Sequence, residues 1–164
     1  MPAPTDLRPR TDGDLEACAE VLAEVHRADG YPVHWPDRPG EWVARAASIG
    51  AWVAELDGRV VGHVGLSEPD PDDRAAGMWG RPSAVVGRLF VSPAARGFGV
   101  GARLMDQAVT AARAVGRHPV LHVVATRTDA TAFYERLGWT LMGTVEETWN
   151  PGETVTIHCY AAPS

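Results

Sequence analysis

Lysine is missing from this chain, so all 15 of its fixed positive charges are arginines. A nucleotide-binding P-loop closes on Gly-Lys-Ser/Thr, and that way of holding phosphate is excluded. Cysteine is scarce. Cys18 and Cys159 stand apart, with no metal or redox spacing, each in an otherwise apolar periodic segment. Two buried free thiols in a reducing cytoplasm are expected, and no metal site. Long apolar runs are lacking as well: nothing approaches the ~20 residues that a membrane-spanning helix needs. Met1-Pro2-Ala3-Pro4-Thr5-Asp6 has neither the basic start nor the apolar stretch of a signal peptide, so a cytoplasmic protein without a membrane partner is expected. Positive charge is not in excess either. The net charge of −6 argues against duplex nucleic acid as the main partner. It mildly favours a cationic acceptor, although the same charge serves solubility.

What is present suits one domain over residues 1–164. The apolar fraction is 45% and the charged fraction 22%, ordinary for a globular protein long enough to bury a core. No internal repeat and no linker divides it. The most informative stretch is Ser83 to Ala102. Ala84-Val85-Val86 and Leu89-Phe90-Val91 read as a largely buried strand, which Pro93 ends because it has no N–H for a ladder. Arg96-Gly97-Phe98-Gly99-Val100-Gly101 follows, then Leu104, Met105, Ala108, Ala111, Ala112 and Val115 at helical spacing. Strand, glycine-rich turn and helix together aim free N–H groups and a helix N-terminus at a phosphate. Arg96 adds a charge at the rim. A tight turn with a surface arginine is the plainer reading, but three glycines in this turn exceed what a turn needs. Gly97-Phe98-Gly99-Val100-Gly101-Ala102 also satisfies the dinucleotide pattern G-x-G-x-x-A. That pattern wants an acidic residue about twenty positions further on, where this chain has Val115-Gly116-Arg117-His118-Pro119.

Arg96-x-x-Gly99-x-Gly101 behind Leu89-Phe90-Val91-Ser92-Pro93 resembles the acetyl-CoA signature of the GNAT superfamily of N-acetyltransferases. A second block, Ala130-Thr131-Ala132-Phe133-Tyr134-Glu135-Arg136-Leu137-Gly138-Trp139, is similar to that family's A-x-x-F/L-Y-E-x-x-G-F helix and turn. A strand-like Val120 to Val124 lies between the two. The blocks span roughly the C-terminal half; the N-terminal half fits only in element order. The resemblance implies an α/β (α+β) fold with a mixed, mostly antiparallel central sheet flanked by helices. It also implies acetyl-CoA as donor, no metal, and an amine acceptor; homodimers are common in such families.

The rest of the chain is read in order. Asp6-Leu7-Arg8-Pro9-Arg10 suggests a short edge strand. Thr11 then caps a helix whose Leu15, Cys18, Leu22 and Val25 face the sheet, and which runs out at Asp29-Gly30. Tyr31-Pro32-Val33-His34-Trp35-Pro36 is either a hydrophobic satellite cluster or a ligand-site loop. The resemblance implies a wall of the acceptor site here. A helix is expected over Gly40 to Ile49. Ala51 to Glu55 and Arg59 to Ser67 flank Leu56-Asp57-Gly58, a hairpin signal. Pro69 to Gly77 reads as a polar loop, whereas Met78 and Trp79 suit solvent less well. Thr140 to Thr148 and Thr154 to Ala161 make a final hairpin around Asn150-Pro151-Gly152.

Acetyl transfer requires a held pyrophosphate, a donor to the developing oxyanion, an acid for the departing thiolate and a base for the amine. The resemblance implies the Arg96 to Ala102 turn and Phe133 for the first, and a backbone N–H of Phe90 or Val91 for the second. Tyr134 occupies the family's position for the acid. The family's central-strand glutamate has no counterpart in Gly87-Arg88-Leu89-Phe90, which leaves His122, His63, Glu68 or ordered water as the base. Arg127 stands where relatives often carry asparagine. Tyr31, His34, Trp35, Trp79 and His122 are the candidate acceptor contacts, and the bulky Tyr31, Trp35 and Trp79 favour a closed small-molecule pocket. An open-grooved acetyltransferase acting on protein N-terminal or lysine amines is the alternative. A non-catalytic acyl-CoA-binding module is the other, and an intact Tyr134 counts against it.

Overall fold

Seven strands hydrogen-bond into one sheet in the computed structural model, which describes residues 5–164. They are β1 (Asp6–Pro9), β2 (Gly50–Leu56), β3 (Arg59–Ser67), β4 (Ser83–Val91), β5 (His118–Val124), β6 (Thr140–Asn150) and β7 (Glu153–Ala161), in the order β1-β2-β3-β4-β5-β7-β6. Five helices accompany them: α1 (Leu15–Asp29), α2 (Pro39–Ala44), α3 (Arg74–Trp79), α4 (Val100–Ala114) and α5 (Thr128–Arg136). Every strand pair is antiparallel except β4 with β5. A parallel pair needs a long crossover, and α4 supplies it. The expected mixed, mostly antiparallel α+β architecture is therefore what the chain adopts. No helix among the described residues is long and apolar enough to cross a membrane.

Sequence periodicity explains which faces are covered. Cys18, Val21, Leu22 and Val25 recur at helical spacing in α1 and are buried with Val43, Val53 and Phe90 on one side of the sheet. Val100, Leu104, Met105, Ala108 and Ala112 of α4 pack with Val64, Leu66, Val86 and Leu121 on the other. Full burial of each such aliphatic side chain is worth ~1.5–3 kcal/mol. The Asp57-Gly58 hairpin has φ of 51° and 75° at its two central positions, as a type I′ turn requires. Cys18 and Cys159 are both buried and unpaired, and burial pushes each thiol up to about 11.

Two elements differ from the sequence reading. The second helix stops at Ala44 rather than Ile49, because Arg45 is extended and Ala46 takes φ 55°. Ile49 instead donates its N–H to the Leu66 carbonyl. The supposed polar loop closes into α3 from Arg74, capped by Asp73, whose Oδ1 accepts the Ala76 N–H at 2.9 Å. Ala75 of this helix is fully buried against Val120, Ile157 and Cys159. The helix start at Thr11 takes the form of a short 3-10 turn over Asp12–Asp14 that leads into α1.

An irregularity in the middle of the sheet positions the site. β4 carries an extra residue between its pairings Gly65↔Gly87 and His63↔Phe90, and Arg88 there has φ 53°. Such a bulge bends the strand and shifts its side-chain alternation. Ala84 and Val86 face α4 before it; after it Phe90 faces α1, while Leu89 and Val91 turn toward α4. Beyond Val85↔Val120 the strands β4 and β5 no longer pair, and β5 continues along β7 alone. A gap opens in the middle of the sheet.

Candidate active site

Two cavities meet at that gap. The first, of ≈ 520 Å³, lies between the end of α1, the end of β4, the start of α4 and one face of α5. The second, of ≈ 410 Å³, lies between β4, β5, the loop after α1 and the hairpin end at Trp149. Tyr31, Leu89, Arg127 and Tyr134 line both.

The glycine-rich turn forms one end of the first cavity. Gly97 and Gly99 hold φ of 87° and 75°, and a Cβ built on either meets nothing within 4 Å. The constraint there is backbone conformation, not crowding in the protein itself. The first helical bond of α4 runs from the Arg103 N–H to the Gly99 carbonyl at 3.1 Å. The N–H groups of Val100, Gly101 and Ala102 therefore have no acceptor along the helix, and no acidic side chain lies in its first turn. An anion fits here on charge and on space. Arg96, Arg127 and Arg136 add guanidinium groups to the lining, and Asp29 and Asp129 add carboxylates. Arg96 is not free: its Nη1 donates to Asp29 at 3.2 Å and Nη2 reaches the same carboxylate. Phe98 is 49% exposed and lies outside the lining, so only its main chain borders the turn. Phe133 lines the cavity and packs beside Gly101.

Of Phe90 and Val91, only Val91 turns its N–H toward the gap between β4 and β5. Ser92 donates its N–H to the Val61 carbonyl at 2.7 Å, toward β3. Alternation along a strand turns the Val91 N–H the other way, to the side that β5 has left. Phe90 is buried and stacks on His63, with centroids 5.2 Å apart. Tyr134 is half-buried at the junction, its ring 5.4 Å from Phe133 and 6.2 Å from Trp139. No protein group hydrogen-bonds its hydroxyl among the described residues, and no fully buried polar side-chain atom lacks a partner. The hydroxyl thus opens into the cavity. Burial, reinforced by the Tyr31 phenol and opposed by Arg127, pushes its pKa well above the ordinary tyrosine value. It is a protonated donor throughout the neutral range.

The acceptor-side expectations divide. Tyr31, His34 and His122 line the second cavity. His122 Nε2 lies 3.0 Å from Asp73, and His34 Nε2 lies 2.8 Å from Glu153. Burial works against the Asp73 carboxylate, but hydrogen bonds from His122 and Ala76 hold its pKa below the usual range. Trp35 instead packs beside His26, centroids 5.3 Å apart, and lines neither cavity. Trp79 lies elsewhere too, because it ends α3: it stacks on His118 at 3.9 Å with Arg81 4.5 Å from its ring. His63 and Glu68 are outside both linings. Arg10 is 2.9 Å from His63 Nε2, so Nε2 accepts, and the Nδ1–H donates to the Arg88 carbonyl at 2.8 Å. His63 is a satisfied core group. Glu68 is exposed, with Arg117 at 3.7 Å. Sequence reading missed Arg88, Trp42, Trp149 and Ile157, which line the second cavity. An arginine in a strand followed by Leu-Phe-Val carried the one available signal. Among the described residues, no group of acidic, histidine and cysteine side chains could hold a metal ion.

Comparison with known proteins bears on the fold and the family. An uncharacterized N-acetyltransferase of Methanocaldococcus jannaschii is 29% identical over 138 residues, covering 81% of this chain; the chain spans 59% of that relative's length. The putative acetyltransferase yncA of Salmonella typhimurium, solved with its cofactor acetyl-CoA, superposes with a TM-score of 0.72 at 18% identity, covering 97% of this chain and 93% of that one. Arabidopsis thaliana NAA60, solved in complex with acetyl-CoA, gives a TM-score of 0.74 at 19% identity, covering 96% and 98%. These two likenesses concern the fold. The model of the acetyltransferase (GNAT) family matches residues 15–139, most of the chain. This chain belongs to the GNAT acetyltransferase family.

Proposed function

We propose that the protein transfers an acetyl group from acetyl-CoA to the amine of a small molecule. The observation that carries this reading is the meeting of two cavities at Tyr31, Leu89, Arg127 and Tyr134. Donor and acceptor can approach from opposite sides and react at the gap between β4 and β5. Free N–H groups at the start of α4, with the Arg96 and Arg136 guanidiniums, bind the donor's phosphates. The Val91 N–H stabilises the carbonyl oxygen as negative charge builds on it during attack by the amine nitrogen. As the C–S bond breaks, Tyr134 gives its proton to the leaving thiolate, whose ordinary pKa is about 8.5. His122, oriented by Asp73, is the imidazole best placed to take a proton from the amine, directly or through water. Indole and phenol walls (Trp42, Trp149 and Tyr31) narrow the second cavity, which suits a compact acceptor better than a polypeptide laid across the surface. The test is to mix the protein with acetyl-CoA and a panel of amines and to follow thiol release. Amine-dependent thiol release with formation of an amide is expected. Binding of acetyl-CoA without turnover of any amine would favour a non-catalytic binding module.

A further inference from the structure

The second cavity has an unexpected charge for a site that receives an amine. Its ionisable lining comprises Arg88, Arg127, His34, His122 and the phenols of Tyr31 and Tyr134, with no aspartate or glutamate. An alkylamine is itself a cation in neutral water, so a pocket built for an amine alone has reason to carry carboxylates. This one carries guanidinium groups. Arg8, Arg38, Arg96 and Arg117 each have a carboxylate within 4 Å. Arg88 and Arg127 have no carboxylate partner among the described residues. The Arg88 guanidinium lies 3.8 Å from the centre of the Trp42 ring and donates Nε–H to the Trp42 carbonyl at 3.2 Å. Its two terminal nitrogens make no hydrogen bond to protein. No fully buried polar side-chain atom is without a partner, so those nitrogens are accessible, and Arg88 lines the cavity. Arg127 lies 4.6 Å from the Tyr31 ring centre. The two rings that carry these cations are 6.0 Å apart, edge to face.

A guanidinium presents a planar fork that matches a carboxylate. Leaving one part-buried without a counter-ion is costly, and a ligand that brings the anion removes that cost. Building on the acetyl-transfer reading, we propose that the acceptor is a small amino acid, with its carboxylate held by Arg88 and Arg127 and its apolar side chain beside Trp149 and Ile157. Its amine then faces Leu89 and Tyr134, the residues shared with the donor cavity. The acceptor of a protein N-acetyltransferase differs in this respect, because its first residue ends in a neutral amide.

The test uses leucine, methionine and phenylalanine, each as the free amino acid, the methyl ester and the decarboxylated amine, together with a tetrapeptide amide. Thiol release from acetyl-CoA gives kcat/KM for each. At least one free amino acid should exceed its ester and its decarboxylated amine by tenfold or more. Arg88→Gln should erase that preference by lowering the free amino acid's value, with KM for acetyl-CoA unchanged. Arg88→Lys, which keeps charge but loses the fork, should restore part of it. In parallel, 3-phenylpropionate and phenethylammonium are titrated calorimetrically into the protein saturated with CoA. Binding of the carboxylate but not of the ammonium, lost in folded Arg88→Gln, supports the anion site whether or not any tested amine turns over. Esters, amines or the peptide acetylated as fast as the free acids would overturn the proposal and leave acetyl transfer standing. Absence of carboxylate binding would overturn it as well. Carboxylate binding without turnover of any amine would support the anion site and count against acetyl transfer.

Discussion

Gly101 and Phe133 touch across the donor cavity: a Cβ on Gly101 would come within 3.3 Å of Phe133 Cζ. The two residues belong to the two sequence blocks that carry the family resemblance, one at the start of α4 and the other on α5. Their contact brings the glycine-rich turn and the Tyr134 helix to one cavity. Gly101→Ala should displace the Phe133 ring by a few tenths of an ångström and weaken acetyl-CoA binding several-fold.

Gly99→Val should act more strongly and for a different reason. Position 99 has φ 75° with open space around it. The left-handed conformation costs an L-residue ~1–2 kcal/mol, more for a β-branched one, and the side chain would project into the space the pyrophosphate needs. The expected result is at least tenfold weaker acetyl-CoA binding, or ~1.4 kcal/mol. Calorimetry on the folded variant decides it, since unchanged affinity would remove the turn from the binding site.

His63 should give the protein a pH-dependent stability in a defined window. Burial is the largest influence and lowers its pKa to about 4; the Arg88 carbonyl opposes this, while the charges of Arg10 and Arg88 add to it. In the unfolded chain the imidazole titrates near 6.5. The depressed native value means that stability is fully present above about pH 6.5. It is lost as pH falls toward 4, because the unfolded chain takes up the proton first. At ~1.4 kcal/mol per pKa unit, the loss is on the order of 3 kcal/mol. Urea unfolding at pH 7.5, 5.5 and 4.5 measures it. His63→Gln should flatten the profile over this range.

How much of this could be read from the sequence depended on the range of the interaction. The glycine turn and the Phe133-Tyr134 helix are local patterns, and both adopt the expected form. α3 escaped notice because only Ala75, Met78 and Trp79 give it an apolar face, behind a stretch rich in proline and aspartate. The bulge at Arg88 was hidden by apolar residues on both sides, which read as one uninterrupted strand. His122 meets Asp73 across 49 positions and His34 meets Glu153 across 119, and no spacing rule reaches that far. Trp79 falls outside both linings, although aromatic bulk in a supposed loop resembles a pocket wall. Once the segment is a helix, that bulk packs on His118.

Substitutions on the acceptor side should separate the histidines from the tryptophans. His34→Ala should raise the acceptor's KM several-fold, with little change in KM for acetyl-CoA. Trp79→Ala should leave both constants near wild type and cost ~1–2 kcal/mol of stability, a fraction of the 3–5 kcal/mol typical of a fully buried aromatic. Trp35→Ala should behave similarly. Steady-state kinetics with thermal melts on the three variants would show this, and a raised acceptor KM for Trp79→Ala would restore it to the acceptor site.

The acid role of Tyr134 is the part of the account that one measurement tests most directly. Tyr134→Phe removes a hydroxyl that has no protein partner and keeps the ring among Phe133, Trp139 and Tyr160, so the fold should be retained. General acid catalysis contributes roughly 10²–10⁴-fold, and the proton moves only in the transition state, so KM for acetyl-CoA should stay constant. Product release can mask such a loss in steady-state turnover, which makes the single-turnover rate of thiol release the quantity to measure. The account predicts a single-turnover rate at least a hundredfold below wild type. A folded Tyr134→Phe protein with the wild-type single-turnover rate would contradict it.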